Sequence, residues 1–191
     1  MVIIIAITGA TGAVYGIRLL EVLSKKKDVE THLIISKAGE QTIACETSLK
    51  LKDVKKLARY NYEPDDINAC LASGSFRRDA MIIAPCTIKT MSALANSYSD
   101  DLITRAADVT LKERRKLVVM VRETPLHLGH LRNMEKLAEI GAIILPPMPA
   151  FYHQPKTVED IIDHTVGKVL DILDIKHDLY RRWSGGTLEK D

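Results

Sequence analysis

A chain of 191 residues is long enough for one domain with a full hydrophobic core and requires no second domain. Its 27 Lys and Arg against 25 Asp and Glu leave a net charge of +2, too balanced for nucleic acid or an anionic membrane to be the main partner. Cys45, Cys70 and Cys86 are odd in number and irregularly spaced, which argues against a disulfide framework or a zinc site and suits a reducing, cytoplasmic compartment.

The chain opens on Val2-Ile3-Ile4-Ile5-Ala6-Ile7, a continuous β-branched run that predicts a strand buried on both faces of a parallel sheet. It is too short to span a bilayer and lacks a basic flank and cleavage site, so it reads as a core strand rather than a signal peptide. Thr8 to Gly12 break the run, and Ile17, Leu20, Val22 and Leu23 then fall mainly on one face of a helix. A strand, a glycine turn and a helix present backbone N–H groups that can hold an anion, with Thr11 placed to cap the helix or meet a phosphate. Gly9, Gly12 and Gly16 do not make the dinucleotide pattern G-x-G-x-x-G. The second strand, Thr31 to Ile35, ends on Ser36 with no carboxylate to grip a ribose, which favours a phosphate-bearing ligand other than NAD.

Helices are expected over Lys37 to Glu46 and Leu51 to Ala58, and irregular chain over Tyr60 to Ser75. Ala80 to Ala84 is the next buried strand, stopped by Pro85. Helices over Thr87 to Ser97 and Asp101 to Arg115 lead to a strand at Lys116 to Val121. Thr124-Pro125 has the order of a hydroxyl N-cap and an N1 proline, opening a helix that ends near Ile140 with Gly141 as its stop. Ala142 to Leu145 is a strand, Met148 to Pro155 a loop, and Thr157 to Leu173 a long helix with Glu159 placed for a capping box.

Strands alternating with helices make an α/β fold, a single-domain doubly wound parallel sheet in three layers. Residues 1–175 are expected to form the domain. Residues 176–191 form a tail that carries Trp183 and packs either on its own domain or at a subunit interface. The loops after the strands gather at one edge and bring together Gly9, Thr11, Ser36, the run Pro85 to Thr90, and Arg122 to Pro125. This is a set for holding phosphate and polar ring edges rather than for attacking a carbonyl. Thr87 at a helix start is equally an N-cap, and Arg122 equally a surface cation. His127 and His130 sit three apart on one helix without an evident third metal ligand, and His153 can titrate near neutrality.

Several stretches together resemble the flavin prenyltransferases of the UbiX type: the Gly9-Ala10-Thr11-Gly12 turn, PCTIKT, LKERR, RETPLHLGHLRNM, and PPMPAFYHQP ahead of a helix holding Gly167-Lys168. The resemblance runs from about Ile3 to Trp183. It implies a Rossmann-like, flavodoxin-related fold in a homo-oligomer, typically a dodecamer, with active sites at subunit junctions. It further implies metal-independent transfer of a dimethylallyl group from dimethylallyl phosphate to N5 and C6 of reduced FMN, for use by a UbiD-type decarboxylase. Residues 1–175 would then be the flavin-binding domain. By match to the family, Gly9, Ala10, Thr11, Ser36, Thr87, Ile88, Lys89, Thr90 and Arg122 stand at FMN-binding positions. Tyr152 and Lys168 stand at prenyl-phosphate positions, with Arg105, Lys112 and Glu123 around that phosphate, some of them from a neighbouring subunit. Glu46 stands at an acidic position near flavin and prenyl group, and Glu46, Glu123, Lys112 and Tyr152 form the expected catalytic set. Serine is common in the family at Thr11 and Thr87, and arginine at Lys168, where a bidentate phosphate contact becomes a single ammonium. A flavin-dependent decarboxylase or a flavin-binding carrier of the same fold are the alternative readings.

Overall fold

The computed structural model describes residues 1–183 and 185. Residues 184 and 186–191, the end of the tail expected at an interface, lie outside the described residues. In chain order the elements are β1 (Val2–Ile7), α1 (Ala13–Ser24), β2 (Glu30–Ile35), α2 (Lys37–Glu46), α3 (Leu51–Lys55), β3 (Tyr60–Tyr62) and β4 (Ala80–Cys86). They continue with α4 (Ile88–Ala95), α5 (Leu102–Lys112), β5 (Lys116–Val121), α6 (Leu128–Glu139), β6 (Ile143–Ile144) and α7 (Val158–Ile172).

The six strands form one sheet in the order β3-β2-β1-β4-β5-β6, every pair parallel. The chain winds outward from β1 in one direction and from β4 in the other, so their C-terminal ends form the switch point where ligands of open α/β sheets bind. The apolar runs form strands because both faces are covered. Ile4 and Ala6 of β1 and Met81 and Ile83 of β4 pack with Met91 and Leu94 of α4, Leu102, Ala106 and Ala107 of α5, and Leu137 of α6. Ile3, Ile5 and Ile7 alternate onto the other face and are equally buried, each contributing about 1.5–3 kcal/mol.

Several elements differ from expectation for identifiable reasons. Chain read as irregular contains β3, a three-residue edge strand that pairs with β2 from His32 to Ile34. The preceding helix, α3, is accordingly shorter than expected. β4 runs on through Pro85 to Cys86, because Thr8 holds the Pro85 carbonyl with both its N–H (3.2 Å) and its hydroxyl (2.8 Å). α6 starts later than expected: His127, not Thr124, is its N-cap, with Nδ1 accepting the Gly129 N–H at 3.0 Å. In α7 the capping box pairs Thr157 with Asp160 rather than Glu159, since the third helical position is the one whose side chain reaches back to the N-cap.

Residues Met1–Pro147, which hold the whole sheet, form one compact unit, and Met148–Asp191 form a second. The first part of the tail packs on α7. Asp171 accepts hydrogen bonds from the Tyr180 hydroxyl (2.6 Å) and from Arg182, with His177 Nε2 at 3.0 Å. Among the described residues no helix is long and apolar enough to cross a membrane.

Candidate active site

At the switch point Thr8 is almost fully buried, and its Oγ1 accepts the Thr87 N–H at 2.9 Å while donating to Pro85. One side chain thereby ties the end of β1 to the end of β4 and to the start of α4. Beside it lies a cavity of about 420 Å³, lined by Thr8, Gly9, Ser36, Lys37, Ala38, Thr87, Lys89 and Thr90, with Pro64, Asp65, Asp100, Asp101 and Ile103 completing the wall. Gly9 is required there by close approach, because a Cβ at this position would stand 2.4 Å from the Ala38 Cβ.

Three helices begin at this cavity, α2, α4 and α5, the last capped by Asp101. Ser36 is the N-cap of α2, its Oγ accepting the Gly39 N–H at 3.0 Å, which leaves the hydroxyl proton for a ligand. Thr87 caps α4 in the same way through the Thr90 N–H (3.2 Å) and donates to Thr90 Oγ1 (3.0 Å). The N–H groups of Lys37 and Ala38 precede the first intrahelical bond of α2, Glu40 N–H to Ser36 O. The N-termini of α2 and α4, two lysines and four hydroxyls make this a site for an anionic, polyhydroxylated ligand, and the volume lies in the range of cofactor pockets. Lys89 lies 3.7 Å from Asp100, so the basic and acidic walls meet through that pair. FMN, with one phosphate and a ribityl chain, fits this donor set.

The N-terminus of α1, by contrast, is already filled. Gly12 is its N-cap in a left-handed conformation (φ 99°), and Thr11 makes no cap with its side chain. The Glu46 carboxylate, arriving from the end of α2, accepts the N–H groups of Gly12 (2.9 Å) and Ala13 (3.0 Å). The anion that the glycine turn was expected to hold is therefore a side chain of the protein itself. Gly9 lines the cavity, and Ala10 and Thr11 are not among its lining residues. Ile88 packs against the apolar core rather than lining the cavity.

Arg122 and Glu123 follow β5. The Arg122 N–H donates to the Cys86 carbonyl (3.1 Å), and its guanidinium partly offsets the burial that raises the Tyr15 phenol above its usual pKa. Glu123 accepts its neighbouring Thr124 N–H at 2.9 Å. Arg105 and Lys112 lie along α5 and do not line the cavity. Arg105 donates to the Ala72 carbonyl (3.1 Å) and to Asp108 (3.1 Å), and Lys112 pairs with Glu113. Only the first turn of α5 touches the cavity, and Lys112 ends that helix roughly 15 Å further along at 1.5 Å per residue.

In the second unit Tyr152 and Lys168 are gathered around a residue that sequence reasoning missed. The Tyr152 hydroxyl lies 3.0 Å from His164 Nε2, and Lys168 is close enough to help hold the His164 pKa below its usual value, burial being the larger cause. His153 stacks on His164 with ring centres 4.8 Å apart. Lys37, Asp65, Asp100 and Asp101 were also missed at the cavity, since only the spacing of strand ends in the folded sheet brings them there.

A model of the Flavoprotein family matches residues 1–183. The chain is 55% identical over 185 residues to the flavin prenyltransferase UbiX of Salmonella typhimurium, covering 96% of this chain and 98% of that one. Among solved structures it is similar to AnUbiX in complex with FMN and dimethylallyl pyrophosphate (TM-score 0.95, 48% identity, 97% of this chain and 98% of that one). A dodecameric FMN-dependent UbiX-like decarboxylase from Escherichia coli O157:H7 superposes equally well (TM-score 0.95, 48% identity, 97% and 100% covered). With the family model matching residues 1–183 and 55% identity over nearly the whole of both chains, this chain belongs to the UbiX-type flavin prenyltransferases of the Flavoprotein family.

Proposed function

We propose that the chain transfers the dimethylallyl group of dimethylallyl phosphate to N5 and C6 of reduced FMN, releasing phosphate and making a prenylated flavin for a UbiD-type decarboxylase. The observation that carries this reading is the cavity at the switch point, lined by the N-cap residues Ser36 and Thr87 of α2 and α4, in a chain 55% identical to a flavin prenyltransferase. When bound, reduced FMN supplies the nucleophilic ring atoms to which the allyl carbon is joined. Ser36, Thr87, Thr90 and Lys89 hold its phosphate and ribityl chain, with Gly9, Ala10, Thr11, Ile88 and Arg122 shaping the rest of the flavin site.

Cleaving the allylic C–O bond leaves charge on the departing phosphate. Tyr152 and Lys168 bind that oxyanion, as do Arg105 and Lys112, and preorganised donors of this kind stabilise it more in the transition state than in the ground state. Lys112, at the far end of α5, is remote from the cavity of its own chain and Arg105 does not line it, which supports a site completed by a neighbouring copy in a homo-oligomer, as in the dodecameric relative from Escherichia coli. The tail carrying Trp183 contributes to the same subunit junction. Glu46, held as a carboxylate on the α1 N-terminus, and Glu123 take or relay the proton lost when C6 is alkylated. Three free cysteines suit the cytoplasm as the working compartment.

The test is anaerobic mixing of the purified protein with reduced FMN and dimethylallyl phosphate. Release of one phosphate per flavin with a changed flavin spectrum supports transfer. Tight FMN binding without phosphate release supports the carrier reading instead.

A further inference from the structure

His164 sits on α7 one helical turn before Lys168, so the two side chains share a face. Its ring is 7% exposed, stacks on His153 with an interplanar angle of 7°, and lies 4.6 Å from the Tyr180 ring. Tyr180 is itself fixed by its hydroxyl bond to Asp171. These contacts leave the imidazole little freedom to rotate. Its Nε2 faces the Tyr152 hydroxyl at 3.0 Å, and Tyr152 keeps more than a third of its surface exposed, with its ring edge-on to Trp183 at 5.9 Å.

We infer that His164 is a positioning residue that sets the direction of the Tyr152 hydroxyl proton and so decides whether Tyr152 can donate to the phosphate of the prenyl donor. The inference rests on the reading of Tyr152 as a phosphate-binding residue. A tyrosine hydroxyl has one proton and can also accept. When Nε2 is bare it takes that proton, and the Tyr152 oxygen then presents only lone pairs to an incoming oxyanion. When Nε2 carries the proton it donates to the Tyr152 oxygen, and the Tyr152 O–H is free to point at the phosphate. A bound phosphate therefore selects the Nε2–H form. The ring need not become charged for this, since the proton can reside on either nitrogen of a neutral imidazole. Burial, His153 and Lys168 all disfavour the cation, while Asp171 opposes them. His164 thus acts by orienting a hydroxyl, one residue removed from the donor itself.

The experiment is a double-mutant cycle read by steady-state kinetics at saturating reduced FMN, with FMN affinity measured separately. His164→Phe and His164→Leu, run in parallel, are each expected to raise KM for dimethylallyl phosphate about tenfold, the cost of one misdirected hydrogen bond to a charged group, with kcat changing less. The Kd for FMN should stay where it was. In a Tyr152→Phe background the same substitutions should change KM by less than about twofold, because no hydroxyl remains to orient. His164→Gln, whose side-chain N–H can reach the same oxygen, should restore most of the lost affinity. An unchanged KM in both His164 variants, or an equal rise with and without the Tyr152 hydroxyl, overturns the inference. If Tyr152→Phe alone leaves KM unaltered, the reading of Tyr152 as a phosphate ligand fails and takes the inference with it.

Discussion

The Glu46 carboxylate accepts the Gly12 N–H at 2.9 Å across 34 residues of sequence, and this contact closes the N-terminus of α1 with a charge the protein supplies itself. In the proposed function the flavin phosphate is accordingly assigned to the N-termini of α2 and α4. The contact makes Glu46 an anion on a helix end, a role separable from the proton transfer proposed for it.

Glu46→Ala should lower stability by about 1 kcal/mol, the usual cost of removing a carboxylate cap, and should also abolish transfer. Glu46→Gln can still accept the Gly12 or Ala13 N–H through its amide oxygen, so it should keep most of the stability and lose only turnover. Urea denaturation beside a phosphate-release assay checks both. Parental turnover by Glu46→Gln would remove Glu46 from the chemistry.

Arg78 is 3% exposed and spends its guanidinium on carbonyls, donating to Leu71 (2.9 Å), Ser73 (2.6 Å) and Ala106 (3.3 Å). It pins the chain between β3 and β4 against α5, whose first turn walls the cavity. Arg78→Ala strands those carbonyls in an apolar setting and should cost about 3 kcal/mol or more in unfolding free energy. Arg78→Lys, whose donors all sit on one nitrogen where the guanidinium uses two, should recover only part of it. A denaturant midpoint unmoved by Arg78→Ala would contradict this account.

Asp171 is held well below the usual carboxylate range by Arg182 first, and also by the Tyr180 hydroxyl and His177. A carboxylate with a lowered folded pKa contributes stability that is full above its unfolded value of about 3.9 and disappears as pH falls through the folded one. The tail over His177 to Trp183 should accordingly stay closed on α7 at neutral pH and open in strong acid. Asp171→Asn should open it at neutral pH, read as faster tryptic cleavage after Arg181 and Arg182. Equal cleavage rates in parent and variant would show that the clasp does not hold the tail.

Most of the sheet was legible because β1, β4 and β5 are buried on both faces and carry long apolar runs, while β2 keeps Leu33, Ile34 and Ile35 as its apolar end. β3 was not, since Tyr60-Asn61-Tyr62 is a three-residue edge strand with one pairing partner and largely exposed side chains. Its Tyr62 hydroxyl reaches the buried His32 ring at 3.0 Å, a contact between strands that no local pattern announces. Ser36 and Thr87 were readable as helix starts following strands, and both do line the cavity. The Thr124-Pro125 signal misled because His127, two residues on, offered the ring nitrogen that caps α6. Glu46 on α1 and His164 on Tyr152 are tertiary pairings, and neither residue's own surroundings in sequence point to its partner.

The central claim is a new carbon framework on the flavin. Mass spectrometry of flavin extracted after anaerobic incubation of the protein with reduced FMN and dimethylallyl phosphate measures it directly. The account predicts FMN heavier by one five-carbon C5H8 unit, with an equal amount of phosphate released. Recovery of unmodified FMN from protein shown to bind both ligands would contradict it.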